Sequence, residues 1–342
     1  MMRLPRIESQ KLLLPSHNCV RKMPVNYQES DRFRFENDFE RPTYDVYSYQ
    51  LEPLLVTAEG VLMDKRGIVQ PLTILQYLSP YSWKYWLKKY WVLPRQSIQE
   101  TAVFCFDEWS KGLFHWFCDV LPKLMCLREH APSSILLLPT APQAFHLESI
   151  KPFGFKQTLS VDRKKSVWAD KGLITVSEIA ITGNYHYQLM RDMRQLFNQY
   201  FPLNPALNLG DKIYASRARA RRKLANEHEL EPVLAKHGFR KVFLEDYSFV
   251  EQLSIVRHAK YFAAVHGASL AYMSFMPAET RILEIRNETD THNLCYFALA
   301  TDMAQAYYYA LAKPTTPSEG NHSDLVLEAS YLDHVLNDFT KP

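Results

Sequence analysis

Between Lys212 and Arg286 short strand-like runs alternate with stretches of helical periodicity, and this alternation restricts the fold more than any other feature of the chain. The runs are Lys212-Ile213-Tyr214-Ala215, Lys241-Val242-Phe243-Leu244, Tyr261-Phe262-Ala263-Ala264-Val265 and Arg281-Ile282-Leu283-Glu284-Ile285. Their spacing is that of βαβ units, which predicts a parallel sheet. Ligands of such sheets bind outside the carboxyl ends of the strands. The sequence puts Ser216, Arg217, His266, Gly267 and Glu284 at those ends. A glycine in a strand-to-helix turn exposes amides to an anion, and an arginine can hold a diphosphate through paired hydrogen bonds. The chemistry on offer is recognition of a nucleotide diphosphate.

The helices between these strands carry their own signals. Ser248-Phe249-Val250-Glu251 has the form of a capping box, and Phe249, Leu253 and Val256 follow on one face of a helix ending near His258. An earlier helix must start near His228, because Pro232 is tolerable only in a first turn, and it ends at Gly238. Asn226 and Glu227 then sit at or just before its first turn, beside a basic cluster of Arg217, Arg219, Arg221, Arg222 and Lys223. As residues alone, that cluster reads equally as a solvated face, a nucleic-acid patch or an anion site.

With 342 residues, 47% of them hydrophobic, the chain can form two domains with separate cores. Its 40 basic and 37 acidic residues nearly balance, so no nucleic-acid partner is expected and any basic site is local. No run of about 18 apolar residues occurs, so no membrane-spanning helix is expected. The segment Met1 to Arg6 is charged without an apolar stretch behind it; a cytoplasmic location, at most at the inner face of the membrane, is the expectation. The five cysteines are odd in number and contain no Cys-x-x-Cys pair, which suits free thiols.

Residues 1 to about 45 lack periodicity and read as a loose arm or an edge of the first domain. Residues 46–200 read as a first α/β domain, with Thr101 to Phe106 and Ser134 to Leu138 as buried strands and Tyr187 to Tyr200 as a helix. Phe201-Pro202-Leu203-Asn204-Pro205 reads as the boundary, and residues 206–315 as the nucleotide-binding domain. A last helix, near Ser323 to Phe339, is expected to pack back on the first domain. Tyr81 to Trp91 interleaves aromatics with Lys84, Lys88 and Lys89. It is expected to be a core helix whose lysines reach to water, with a membrane-interface helix as the other reading.

One ordered set of motifs resembles glycosyltransferase family 61. It consists of Ser216-Arg217, Arg222 to Glu227, His237-Gly238-Phe239, Ser248 with Glu251-Gln252, and His266-Gly267-Ala268-Ser269-Leu270 through Phe275 to Leu283-Glu284-Ile285. His115-Trp116-Phe117-Cys118-Asp119-Val120-Leu121-Pro122-Lys123 resembles the family's other block. The chain departs from the pattern at Gly112, Ser269 and Tyr272. The resemblance implies two Rossmann-like α/β domains facing across a cleft, the GT-B fold, and transfer of a sugar from a nucleotide-sugar donor to a surface polysaccharide or a lipid-linked glycan, as in bacterial capsule assembly.

The resemblance also implies roles. Ser216, Arg217, Arg222, Asn226, Glu227, His266, Gly267, Ala268 and Glu284 would bind the donor, Glu284 through a ribose hydroxyl pair at a strand end. His115 and Asp119, spaced i and i+4, share a helical face; one of them, or Asp119 acting through His115, would take the acceptor's proton in an inverting transfer. The Arg side chains would stabilise the leaving diphosphate, and no Asp-x-Asp occurs, so neither a metal nor a cofactor is expected. A catalytically silent glycan- or nucleotide-binding protein is the competing reading.

Overall fold

The computed structural model describes residues 4–69, 82–179 and 183–341. It divides into two compact units, Met1–His17 with Thr43–Ile181 and Asn18–Pro42 with Thr182–Pro342.

The first unit holds two sheets. One has six strands in the order Ile7–Leu14, Val46–Leu51, Leu173–Val176, Thr101–Val103, Ser134–Leu138, Gln157–Ser160. The last four are mutually parallel, and the first two close one edge antiparallel. Ser134–Leu138 is apolar after its first residue and buried throughout, as a strand covered on both faces must be. The chain winds from Thr101–Val103 outward to Ser134–Leu138 and Gln157–Ser160, then returns to Leu173–Val176 on the other side. The winding direction therefore reverses between 173–176 and 101–103. The second sheet runs Gly67–Val69, Leu62–Asp64, Leu54–Val56, Ser166–Ala169, Arg95–Ile98. Leu54, Val56 and Val167 from it share one core with Ala102, Phe104 and Leu137.

The second unit is built on the expected parallel sheet. Its order is Arg240–Val242, Lys212–Ala215, Tyr261–Val265, Arg281–Asn287, Ala306–Pro314, with Leu325–Val326 antiparallel at the far edge. Both expected helices are present, Glu227–Lys236 and Phe249–His258, the latter with the Ser248/Glu251 capping box in both directions. Gly238 follows the former at φ 78°, a left-handed position that glycine takes at least cost.

Three expectations about organisation need correction. Of the two readings of the start of the chain, the edge of the first domain holds for its first strand but not for all of residues 1 to 45. Ile7–Leu14 is an edge strand on Val46–Leu51 whose exposed side chains explain its missing apolar pattern. Asn18–Pro42 belongs to the second unit, where the Val25 amide donates to the Tyr307 carbonyl (2.8 Å) and fully buried Phe35 meets Phe297 and Tyr309. The helix Tyr187–Tyr200 also lies in the second unit: it buries Leu189, Met190, Met193 and Phe197, with Phe197 against Phe275 at 4.6 Å. The prolines at 202 and 205 follow a helix end rather than divide units. Last, the C-terminal helix, Ala329–Phe339, belongs to the second unit. Leu332, Val335, Leu336 and Phe339 complete the core formed by Tyr214, Leu230, Leu234 and Phe239.

Candidate functional site

In the second unit the winding reverses between Lys212–Ala215 and Tyr261–Val265, since Arg240–Val242 flanks the former and Arg281–Asn287 the latter. A crevice outside the carboxyl ends of that pair is the ligand site of open α/β sheets. Ser216-Arg217 leaves one strand there and His266-Gly267-Ala268 the other. The two segments meet: a Cβ built on Gly267 would lie 2.0 Å from Arg217 Nη1 and 2.4 Å from its Cζ. Only glycine lets the guanidinium lie over this turn. Ala268–Phe275 follows as a 3-10 helix, and the first amides of such a helix have no partner within it.

Arg217 is held rather than paired off. Its Nη2 donates to the Arg221 carbonyl (2.8 Å), while its Nε is buried without a hydrogen-bond partner. Burial first, and the neighbouring Arg222 cation second, press its pKa downward. A desolvated cation beside another cation is a site that an anion would relieve. Arg222 takes the left-handed conformation at φ 57° and lines a small cavity with His266, Asn287 and Asp290. Arg219 is already committed: it pairs with Asp246 at 2.5 Å and stacks on Phe243.

The other residues expected at the donor are turned inward. Glu227, 5% exposed, accepts from Ser216 Oγ (2.7 Å), Tyr214 Oη (2.8 Å) and Lys241 Nζ (2.5 Å). Ser216 Oγ in turn accepts from the Ala218 amide at 3.2 Å, fixing the turn that aims Arg217. Asn226 reads the backbone of Leu327 in both directions, donating to its carbonyl (2.9 Å) and accepting from its amide (3.2 Å). These three hold the loop's shape.

The expectation that Glu284 meets a ribose at a strand end is overturned. The strand runs on to Asn287, leaving Glu284 in its middle with 0% exposure. Its carboxylate accepts from His266 Nδ1 and from Tyr307 Oη (2.5 Å). Burial alone would raise its pKa, but the His266 and Arg286 charges and these bonds hold it below the ordinary value. Asn293 Nδ2 lies 3.1 Å from His266 Nε2. Both ring nitrogens of His266 are thus occupied by protein, and the ring acts as a brace beneath Gly267.

In the first unit, the reversal point between 173–176 and 101–103 collects a second group. The segment 113–126 is helical, with a π-type turn over Trp116–Val120 ahead of Leu121–Cys126. Pro122 is the reason: it has no amide for the Cys118 carbonyl and its ring crowds that carbonyl, so the turn before it widens. Trp116 and Phe117 point into the core, Trp116 Nε1 donating to Ser149 Oγ at 2.8 Å. His115 and Asp119 face the other way, 28% and 20% exposed, with Nδ1 and Oδ2 2.7 Å apart. Burial works to lower the His115 pKa, yet the Asp119 hydrogen bond and charge outweigh it and the pKa is raised.

Sequence reading missed the rest of this group. Asp107, after the 101–103 strand, accepts from the amides of Trp109 (2.9 Å) and Ser110 (2.8 Å) and so opens the turn leading to His115. Glu178, after the 173–176 strand, faces the buried ammonium of Lys123 at 3.4 Å. Burial pushes the Glu178 carboxyl up to about 7 despite Lys123, with Asp119 and Asp107 adding to the rise. The apolar run Leu173 to Val176 ending in Ser-Glu was the available signal. Among the described residues no cluster of three or more His, Cys, Asp or Glu has the geometry of a metal site, and none of the five cysteines is in a disulfide.

The chain thus carries a parallel sheet with a cationic turn at its reversal point and a histidine–carboxylate pair at the reversal point of a second α/β unit. The model of the Glycosyltransferase 61 family matches residues 113–283, half of the chain. The protein belongs to that family. It is also 30% identical over 118 residues to the EGF domain-specific O-linked N-acetylglucosamine transferase of Rattus norvegicus, an alignment covering 32% of this chain and 22% of the relative. The chain thus spans about a fifth of the length of the curated relative it matches.

Proposed function

We propose that the protein transfers a sugar from a nucleotide-sugar donor to a hydroxyl of a surface polysaccharide or lipid-linked glycan, with inversion and without a metal, acting on the cytoplasmic side. The two α/β units would be the halves of a GT-B enzyme. The observation that carries the reading is the Arg217–Gly267 contact, a half-buried cation lying over a glycine turn at the start of a helix. A donor diphosphate would take its charge from Arg217, with Arg222 beside it, and the turn amides at Gly267 and Ala268 would hold the phosphate oxygens. Charge grows on the leaving diphosphate as the glycosidic bond breaks, so fixed donors count most in the transition state.

On the acceptor side His115 is the base. Its Nδ1–H donates to Asp119, leaving Nε2 as the proton acceptor, and the acceptor hydroxyl attacks the anomeric carbon from the face opposite the diphosphate. Asp119 fixes the tautomer and stabilises the imidazolium that forms, the division of labour seen in hydrolytic triads. Asp119 and His115 in hydrogen-bond contact favour this over a silent binding protein, which has no use for the pair.

Arg217→Ala weakens nucleotide-sugar binding by about 1.5 to 3 kcal/mol, the value of a charge-assisted contact. Arg222→Ala has a comparable effect if it shares the phosphates. Gly267→Ala gives a sharper test, since its methyl group displaces the Arg217 guanidinium, the flexible end of a side chain. It reproduces the affinity loss and also lowers the melting temperature, because the backbone at Gly267 (φ 158°) is one that residues with a side chain rarely adopt. Titration calorimetry with nucleotide-linked N-acetylglucosamine, the sugar in the rat relative's name, and with other nucleotide sugars measures this. Unchanged affinity in all three variants would rule out the donor site.

Transfer proceeds at an unchanged rate after exhaustive treatment with a chelator, because Arg side chains and amides supply the positive charge that a metal gives elsewhere. Restoration of a lost rate by added divalent cation overturns the metal-free part of the proposal.

A further inference from the structure

Of the aromatic and lysine-rich segment, Tyr81 lies outside the described residues; from Ser82 on it packs one face into a core with Lys84 and Lys88 reaching water as expected, while Lys89 is buried. It is helical over Trp83–Leu87 and continues as a π-type turn over Lys88–Val92, with Ser82 as its cap. Its inner face is Trp86 stacked on Tyr90 (6.1 Å between rings, 9° between planes), packed against Leu55, Val61, Met63, Ile68 and Trp168. Lys89 is inside as well, 6% exposed, paired with Glu59 at 3.0 Å. The outer face is apolar: Trp83 is 69% exposed, Leu87 40%, Trp91 58% and Val92 67%. Steps of four place Trp83, Leu87 and Trp91 on one stripe.

Cations surround this stripe. Lys84 and Lys88 are exposed on the same helix, and Arg95, exposed just beyond it, lies over the Tyr90 ring at 4.3 Å. Lys65 and Arg66 are exposed on the turn that precedes Gly67–Val69, and Ile68 of that strand packs against the helix. Of the neighbouring carboxylates, Glu59 is neutralised by Lys89, and Asp64, 9% exposed, caps the Arg66 amide. A second copy of this chain is a poor occupant, because an isologous contact would set like charges against each other.

We propose that this face docks on an anionic lipid bilayer. Tryptophan has an apolar body and a polar N–H and settles at the depth of the headgroups, where Leu87 and Val92 reach the upper acyl chains. Lys84, Lys88, Arg95, Lys65 and Arg66 then lie at the level of the lipid phosphates, and the attraction adds per basic residue. Docking through this face would hold the enzyme where lipid-linked acceptors reside, but the proposal does not depend on sugar transfer, and its test reads binding alone.

The test uses the whole chain with vesicles of phosphatidylcholine alone and of phosphatidylcholine mixed with phosphatidylglycerol, read by co-sedimentation and by tryptophan emission. The protein partitions onto the mixed vesicles with a blue shift, weakly onto the neutral ones, and is released by salt. Lys84→Gln with Lys88→Gln lowers the partition coefficient about 30-fold, from two basic residues at the surface. Trp83→Ser with Trp91→Ser removes both binding and blue shift. All four side chains are exposed, so the melting temperature of each variant stays near that of the parent. The proposal fails if the parent ignores anionic vesicles or if the variants bind as the parent does. It fails equally if the tryptophan variant loses a dimer instead, or if an oligonucleotide rather than lipid is retained through this face.

Discussion

Asp119→Asn lowers single-turnover sugar transfer by about 100-fold or more and leaves donor affinity close to that of the parent. The amide keeps the shape and can still accept from His115 Nδ1, now 2.7 Å from Asp119 Oδ2, but it loses the charge that favours the imidazolium. His115→Gln, which removes the proton acceptor itself, falls at least as far, and the double variant falls little further because the two act as one unit. The pH profile gives an independent check. The base must be unprotonated, and its pKa is raised in the parent, so the rate falls below a limb lying above the ordinary histidine value of 6.5. Removing the Asp119 charge moves that limb to lower pH. Glu178, titrating near 7, lies in the same group, and Glu178→Gln separates its contribution to the profile from that of His115. A parent-like rate in folded Asp119→Asn would make Asp119 a structural residue.

The second large effect is on stability. Glu284→Ala costs about 3 to 5 kcal/mol, the range for removing one partner of a buried charged network. The fully buried carboxylate holds both the His266 ring and the Tyr307 hydroxyl, and with Arg286 beside it the deletion leaves two donors and a cation without their acceptor. Glu284→Gln keeps the volume and one acceptor and costs less. Because the folded pKa of Glu284 is depressed, its contribution is complete above the unfolded value of 4.5 and is lost as pH falls through the folded one. The gap between Glu284→Gln and the parent in denaturant midpoint therefore narrows in acid. A midpoint unchanged by Glu284→Ala at neutral pH would mean the carboxylate braces nothing.

The donor affinity of Glu284→Gln should move less than that of Gly267→Ala, since one acts on the brace beneath the turn and the other on the turn itself. This ordering distinguishes the inward role of Glu284 from the direct contact with ribose that its place in the sequence first suggested.

Local rules made much of the second unit legible. The parallel strands, the Ser248/Glu251 box, the helix ending before Gly238 and the meeting of Ser216-Arg217 with His266-Gly267 all follow from periodicity, capping and strand-end logic, which act over a few residues. So does the i, i+4 pair of His115 and Asp119. Decisions that depend on what lies across space were not legible. Glu284 sits inside an apolar strand whether it faces solvent or a buried ring, and only the packing of His266 and Tyr307 against it shows which. Asn18–Pro42 looks like a loose arm because its partners, Tyr307, Tyr309 and Phe297, are more than 250 residues away in the chain. Lys89 and Lys88 are neighbours of identical type, yet one is buried on Glu59 and the other exposed, a difference set by the sheet beneath the helix. The sequence by itself determined the elements and the residue types available for chemistry, because those depend on local backbone preference. Which side chains face a ligand, which brace the backbone and which remain on an exposed face was decided by tertiary packing, because burial is a property of the assembled unit.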